Sequence, residues 1–123
     1  MADPANPVVH LQLRTPNLPR ATAFYTQLFG WRAENVRVCS KAYLALELGR
    51  ELDGGVVERD EAEASWLPYV EVPELGVALA RARRLGARVV VGPREGPAGW
   101  RAVIEAPDGA EIAFWQQKST SSR

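Results

Sequence analysis

The sequence predicts an α+β domain built as two similar modules, and three observations carry that expectation. Apolar residues alternate singly in some segments and recur every three to four residues in others, so strands and helices are both expected. The order strand, helix, strands occurs twice along the chain. Each predicted helix ends on a matching signature, Leu28-Phe29-Gly30 in the first half and Leu85-Gly86 in the second. A duplication of that kind favours a pseudo-symmetric fold. At 123 residues, one domain is the expected size.

The elements follow in order. Residues 8–14 (VVHLQLR) alternate, with Leu11 and Leu13 on one face and His10, Gln12 and Arg14 on the other, as in a half-buried strand. Thr15-Pro16-Asn17 is a turn whose Asn17 suits a helix N-cap. Leu18, Ala21, Tyr25 and Leu28, with Phe24 beside them, predict a helix over about 18–29; Pro19 is tolerated in its first turn, and Gly30 suits a left-handed C-cap. Strands are predicted near 31–37, 42–48 and 54–58, and in the middle one Leu44, Leu46 and Leu48 alternate with Tyr43, Ala45 and Glu47. Gly54-Gly55 reads as a bend or a close approach, because no helix signal follows it as a phosphate loop would require.

The charged stretch ERDEAEAS (58–65) reads as a linker, after which the pattern restarts. Residues 67–72 (LPYVEV) predict a strand whose Pro68 suits an edge or a first position. Leu75, Ala78, Leu79, Ala82 and Leu85 define an amphipathic helix closed by Gly86. A strand begins at Val89–Val91, Gly92 to Gly99 reads as a Gly/Pro-rich loop, and 100–105 with 110–115 form a hairpin around Pro107-Asp108-Gly109. The two modules are thus 8–58 and 67–116.

Composition narrows function. Fifteen basic and fifteen acidic residues give zero net charge, which argues against a nucleic-acid binder. The balance is an average: residues 47–75 hold nine acids against two Arg, and 76–101 hold six Arg against one acid. One Cys excludes an intrachain disulfide or a cysteine-cluster zinc site, and one His excludes any site needing two imidazoles from one chain. No window approaches a membrane span, and the opening MADPANP lacks a basic segment followed by an apolar run. A cytoplasmic protein is the expectation. Cys39 has no nearby activating group in the sequence and reads as inert.

The segments HLQLRTPNLPRATAFYTQLFGW (10–31), LPYVEVPELGVALARARRLGARVV (67–90) and VIEAPDGAEIAFWQ (103–116) resemble the vicinal oxygen chelate superfamily. That superfamily includes glyoxalase I, bleomycin-resistance proteins, fosfomycin-resistance enzymes and extradiol dioxygenases. FYTQLFGW together with PDGAEIAFW places the likeness closest to its "FGW" glyoxalase-like branch. The resemblance implies two βαβββ modules over residues 8–116 forming an open, U-shaped barrel around a small-molecule cavity, and a homodimer.

It also implies a divalent metal in the enzymatic members. His10 falls on the first ligand position, but the second falls at or beside Leu67 and the terminal-strand Glu position falls on Ala113. Glu47 and Glu58 lie near the remaining position. Catalytic zinc or iron needs about three protein ligands with a site left open, so no metal and no other cofactor is expected.

The leading expectation is metal-independent binding or sequestration of a small apolar or aromatic metabolite or antibiotic. Strand phase assigns its site to His10, Gln12, Tyr43, Glu47, Tyr69 and Trp115, with Trp100 as a lid aromatic beyond the Gly/Pro-rich loop. A few polar groups in an aromatic wall suit such a ligand. Two alternatives remain open: a glyoxalase-like lyase, isomerase or dioxygenase using His10, and a non-catalytic structural or regulatory partner. Trp31 and Trp66 read as packing residues.

Overall fold

The computed structural model describes residues 6–38, 41–49, 52–60 and 63–118. Cys39 and part of the acidic linker lie outside the described residues. Ten elements follow one another: β1 (Val8–Thr15), α1 (Leu18–Phe29), β2 (Ala33–Val38), β3 (Lys41–Glu47), β4 (Asp53–Glu58), β5 (Ser65–Glu71), α2 (Leu75–Arg84), β6 (Arg88–Glu95), β7 (Gly99–Glu105) and β8 (Glu111–Gln117). The chain divides into two units, Val9–Pro68 and a second that joins Tyr69 onward to the short stretch before Val9.

In the first unit the strands lie in the order β2-β3-β4-β1, with β1 parallel to β4 and the other pairs antiparallel. Helix α1 forms where its caps allow. The Asn17 side chain accepts from the Arg20 N–H at 3.1 Å, and the Glu58 carboxylate accepts from the Leu18 N–H at 3.1 Å. At the other end Gly30 adopts φ 73° and donates its N–H to the Thr26 carbonyl at 2.8 Å, a left-handed conformation that costs a residue with a Cβ. Leu18, Ala21 and Tyr25 of α1 pack on a core of Leu13, Leu46 and Val56, together with Leu44, Leu48, Trp31 and Trp66. Phe24, Leu28 and Phe29 stay more than half exposed. Gly54 proves to be a strand residue of close approach: a Cβ there would meet the Leu48 side chain at 2.6 Å.

The second unit repeats the plan as β5-β8-β7-β6, with β5 parallel to β8. Helix α2 lacks a side-chain cap from Glu74; instead the Gln116 side-chain oxygen of β8 accepts the Leu75 N–H at 2.7 Å. Leu75 and Leu79 bury against Val72, Ala102 and Ile104, flanked by Ile112 and Phe114. The hairpin at Ala106–Ala110 closes with Gly109 at φ 97° and the Ala106 N–H donating to the Ala110 carbonyl at 2.7 Å.

Two expectations are corrected. The barrel does not form: the strand order begins at β2 and ends at β6, which do not pair, so the sheet is not closed. Closure requires the two edge strands to share a ladder, and β6 carries Pro93, which has no N–H to give, within a segment whose pairing to β7 shifts register twice. The same irregularities explain the second correction. Gly92 and Pro93 lie inside β6 rather than in a loop, because bulges on an edge strand absorb them.

Gly99 opens β7 where the Trp115 indole lies across it. A Cβ at Gly99 would overlap the Gln116 carbonyl oxygen and sit 2.9 Å from Trp115 Cη2 and Cζ2. Gly99→Ala is therefore expected to lower unfolding stability by about 1–3 kcal/mol and to shift Trp emission; urea denaturation followed by fluorescence measures both, and an unchanged midpoint would contradict the contact.

Candidate functional site

Each sheet turns one face to its helix, and the residues singled out from the sequence separate by face. In the first unit the pairings His10–Asp53, Gln12–Gly55, Ala45–Gly55 and Glu47–Asp53 put His10, Gln12, Arg14, Asp53, Gly55, Tyr43 and Glu47 together on the side away from α1. Leu11, Leu13 and the Leu44–Leu48 series take the helix side. Tyr43 and Glu47 thus share a face with His10, in the phase the alternation implies.

The imidazole is the chemically distinctive group on that face. It is half-buried, and burial lowers its pKa below the ordinary 6.5 while the Asp53 carboxylate partly opposes the change. Gly55 supplies room beside it: a Cβ there would lie 3.6 Å from His10 Nε2 and 3.6 Å from Tyr43 Cδ2. The absence of that side chain leaves the two rings flanking a spot on the strand. Arg14, further along β1, donates to the Ser65 hydroxyl at 3.0 Å.

Glu47 is not the strand neighbour of His10. Asp53 is the strand partner of both, so Glu47 stands two strand spacings, roughly 10 Å, from His10. Asp53 is the acidic neighbour that sequence reasoning missed, because a parallel ladder between β1 and β4 leaves no local signal. Glu58, the other acid considered, lies on the helix side and serves the first turn of α1.

In the second unit Tyr69, Trp115, Arg101 and Val103 share the face turned from α2, through the pairs Tyr69–Ala113, Arg101–Trp115 and Val103–Ala113. Tyr69 is 5% exposed, and its hydroxyl accepts from Arg101 Nη1 at 3.1 Å. Trp100 lies on the opposite face. It packs against the α2 core, with the Lys118 ammonium 5.5 Å from its ring centroid. It is a strand residue of β7, so it does not share the wall of Tyr69 and Trp115.

A further aromatic group surrounds α1. Tyr25 lies 6.0 Å from Trp31 and 5.3 Å from Trp66 between ring centroids, and Phe29 lies 4.7 Å from Trp31. The group is partly exposed through Phe24 and Phe29 and is consistent with a small-molecule surface.

The donor set does not fit a catalytic metal. Leu67 and Ala113, at two of the implied ligand positions, are 2% and 0% exposed and carry no donor atom. Among the described residues no group of three or more His, Cys, Asp and Glu side chains is placed to hold an ion. No helix among them is long and apolar enough to cross a membrane.

Because burial makes protonation of His10 harder in the folded chain than in the unfolded one, its contribution to stability is complete above the unfolded value of 6.5 and is lost as pH falls through the lowered native value. As the single histidine, it gives one set of imidazole resonances, whose titration midpoint is expected below 6.5. Asp53→Asn should move that midpoint lower still. His10→Gln should remove the corresponding part of the acid dependence of urea unfolding.

Comparisons with known proteins place the chain. No curated protein matches the sequence significantly. Solved structures do match in fold. A hypothetical protein from Bacillus halodurans C-125 superposes with a TM-score of 0.73 at 13% identity, covering 98% of this chain and 100% of its own. Methylmalonyl-CoA epimerase from Mycobacterium tuberculosis gives 0.67 at 17% identity, over 91% and 88% of the two chains. A variant of Streptomyces coelicolor methylmalonyl-CoA epimerase, in complex with 2-nitronate-propionyl-CoA, gives 0.68 at 14% identity, over 95% and 98%. At such identities the likeness concerns fold alone. The family model for the Glyoxalase/Bleomycin resistance protein/Dioxygenase superfamily matches residues 8–114, nearly the whole chain. The chain belongs to that superfamily.

Proposed function

We propose that this chain is a metal-independent isomerase-type enzyme that removes and returns a proton at a carbon beside a carbonyl, with His10 as the base. The observation that carries the reading is His10 itself: a half-buried imidazole favoured in its neutral form by burial, with Asp53 beside it and the Gly55 position free of side chain. A neutral imidazole takes the α-proton, and the Asp53 carboxylate stabilises the imidazolium that forms. Gln12, on the same face, has an amide N–H to donate to the enolate oxygen. Return of the proton from the His10 imidazolium to a neighbouring atom of the enolate system on the same face completes an isomerisation with no net gain or loss of atoms. The methylmalonyl-CoA epimerases among the structural neighbours make an acyl thioester the first substrate class to try.

A second reading, sequestration of an apolar or aromatic molecule without turnover, is favoured by the aromatic residues Tyr43, Tyr69 and Trp115 on faces without a helix. Both readings take the chain as a cytoplasmic homodimer of the FGW branch with one domain over 8–116. The exposed Phe24, Leu28 and Phe29 support a self-contact.

Deuterium uptake from D2O at the α-carbon of methylmalonyl-CoA and related thioesters, measured with a chelator present, tests the first reading. His10→Ala is expected to slow exchange about 100- to 10,000-fold, and the wild-type rate should fall as pH drops through the lowered His10 value. Binding without exchange would leave the sequestration reading standing, and exchange that vanishes with the chelator would refute metal independence.

A further inference from the structure

We propose that Arg94 and Arg101, with Trp115 and Tyr69 beside them, form a site for an organic acid whose planar apolar body ends in a carboxylate. The site lies wholly in the second unit and does not rest on the proton-transfer reading. Arg94 is the direct strand partner of Arg101 across β6 and β7, and Arg101 is the partner of Trp115 across β7 and β8. The three side chains therefore form a row on the face turned from α2: indole, cation, cation.

Directly opposed like charges destabilise a ladder, and among the described residues neither arginine has an ion-pair partner. The neighbouring acids are committed or distant. Glu95 lies on the other face and pairs with Lys118 at 2.9 Å, while Glu105 pairs with Arg88 at 3.0 Å. Glu71 is the partner of Trp115 on its far side, two strand spacings or roughly 10 Å from Arg101. The row thus presents two adjacent cations, and neither has an acidic strand partner.

Geometry narrows the ligand. Arg101 is half-buried and held by the Tyr69 hydroxyl, so its guanidinium is oriented before any ligand arrives. A planar fork of that kind matches a carboxylate with two parallel hydrogen bonds. The Trp115 ring, seated over Gly99, gives an aromatic surface one strand spacing away for the apolar body.

Isothermal titration with 2-naphthoate, 2-naphthamide and inorganic phosphate tests the assignment. The acid should bind at least about 10-fold more tightly than the uncharged amide, with an affinity that weakens as salt rises. Arg101→Gln should lower naphthoate affinity about 10-fold or more, with Arg101→Lys intermediate. Arg94→Gln, at an exposed position, should weaken it less and serves as the variant of record should Arg101→Gln fail to fold. Equal binding of acid and amide, no binding of the acid, or unchanged affinity in a folded Arg101→Gln or Arg94→Gln chain would overturn the proposal. Inorganic phosphate binding as tightly as naphthoate would overturn the ligand class, since it needs no aromatic surface.

Discussion

Each four-stranded half of the sheet has one helix and two faces, and that shortage of helical cover is the constraint on which the rest of the structure depends. Side chains alternate along a strand, so whatever α1 and α2 cover fixes what the other face presents. Leu11, Leu13, Val56 and the leucines of β3 turn toward α1, which obliges His10, Gln12, Asp53 and Tyr43 to share the opposite face. Val72, Ala102, Ile104 and Phe114 turn toward α2, and Tyr69, Arg101 and Trp115 follow from them. A slip of one residue in register would exchange these sets and bury an imidazole or a guanidinium beneath a helix, at a cost no single polar contact offsets. The functional faces are in this sense by-products of packing that selection is free to decorate.

That logic also decides what could be read from the chain. Helix α1 was legible to the residue because its signals are local: the Asn17 cap, Pro19 in the first turn and the left-handed Gly30 each act within a few positions. The faces of β1, β3 and β8 were legible for the same reason, through strict alternation. Gly92-Pro93 misled because the same dipeptide serves a loop or a bulged edge strand, and only pairing with β7 distinguishes them. Trp100 stands on the α2 side of β7, opposite the face that carries Arg101 and Trp115. The open sheet in place of a barrel was illegible, since closure depends on whether the two outermost strands pair, and the mark that β6 does carry, Pro93, reads equally as a loop residue. Asp53 beside His10 and Arg94 beside Arg101 were missed because both are pairings across strands, the second displaced by two register shifts.

Leu67 and Ala113 show how a shared scaffold can part from a shared chemistry. Both are almost fully buried, with Ala113 the strand partner of Tyr69 and of Val103. A carboxylate at Ala113 would be desolvated between those neighbours unless an ion or a strong donor met it, whereas alanine costs nothing there. The residues that would have been ligands have become part of the apolar packing. The proton transfer proposed for His10 would not need such ligands, because it asks of the protein a base and a donor for the enolate rather than three converging side chains.

The zero net charge now has a structural reading. The acids near His10 are strand partners in the first unit: Asp53 opposite His10 and Glu47 opposite Asp53. In the second unit Arg94 faces Arg101 across β6 and β7. The Asp53 carboxylate, a negative neighbour, favours the protonated imidazole and so opposes the desolvation that lowers the His10 pKa. A positive neighbourhood can do neither of those things for a base, but it selects an anionic ligand and attracts it from solution. The balance in composition is therefore an average over neighbourhoods of opposite sign.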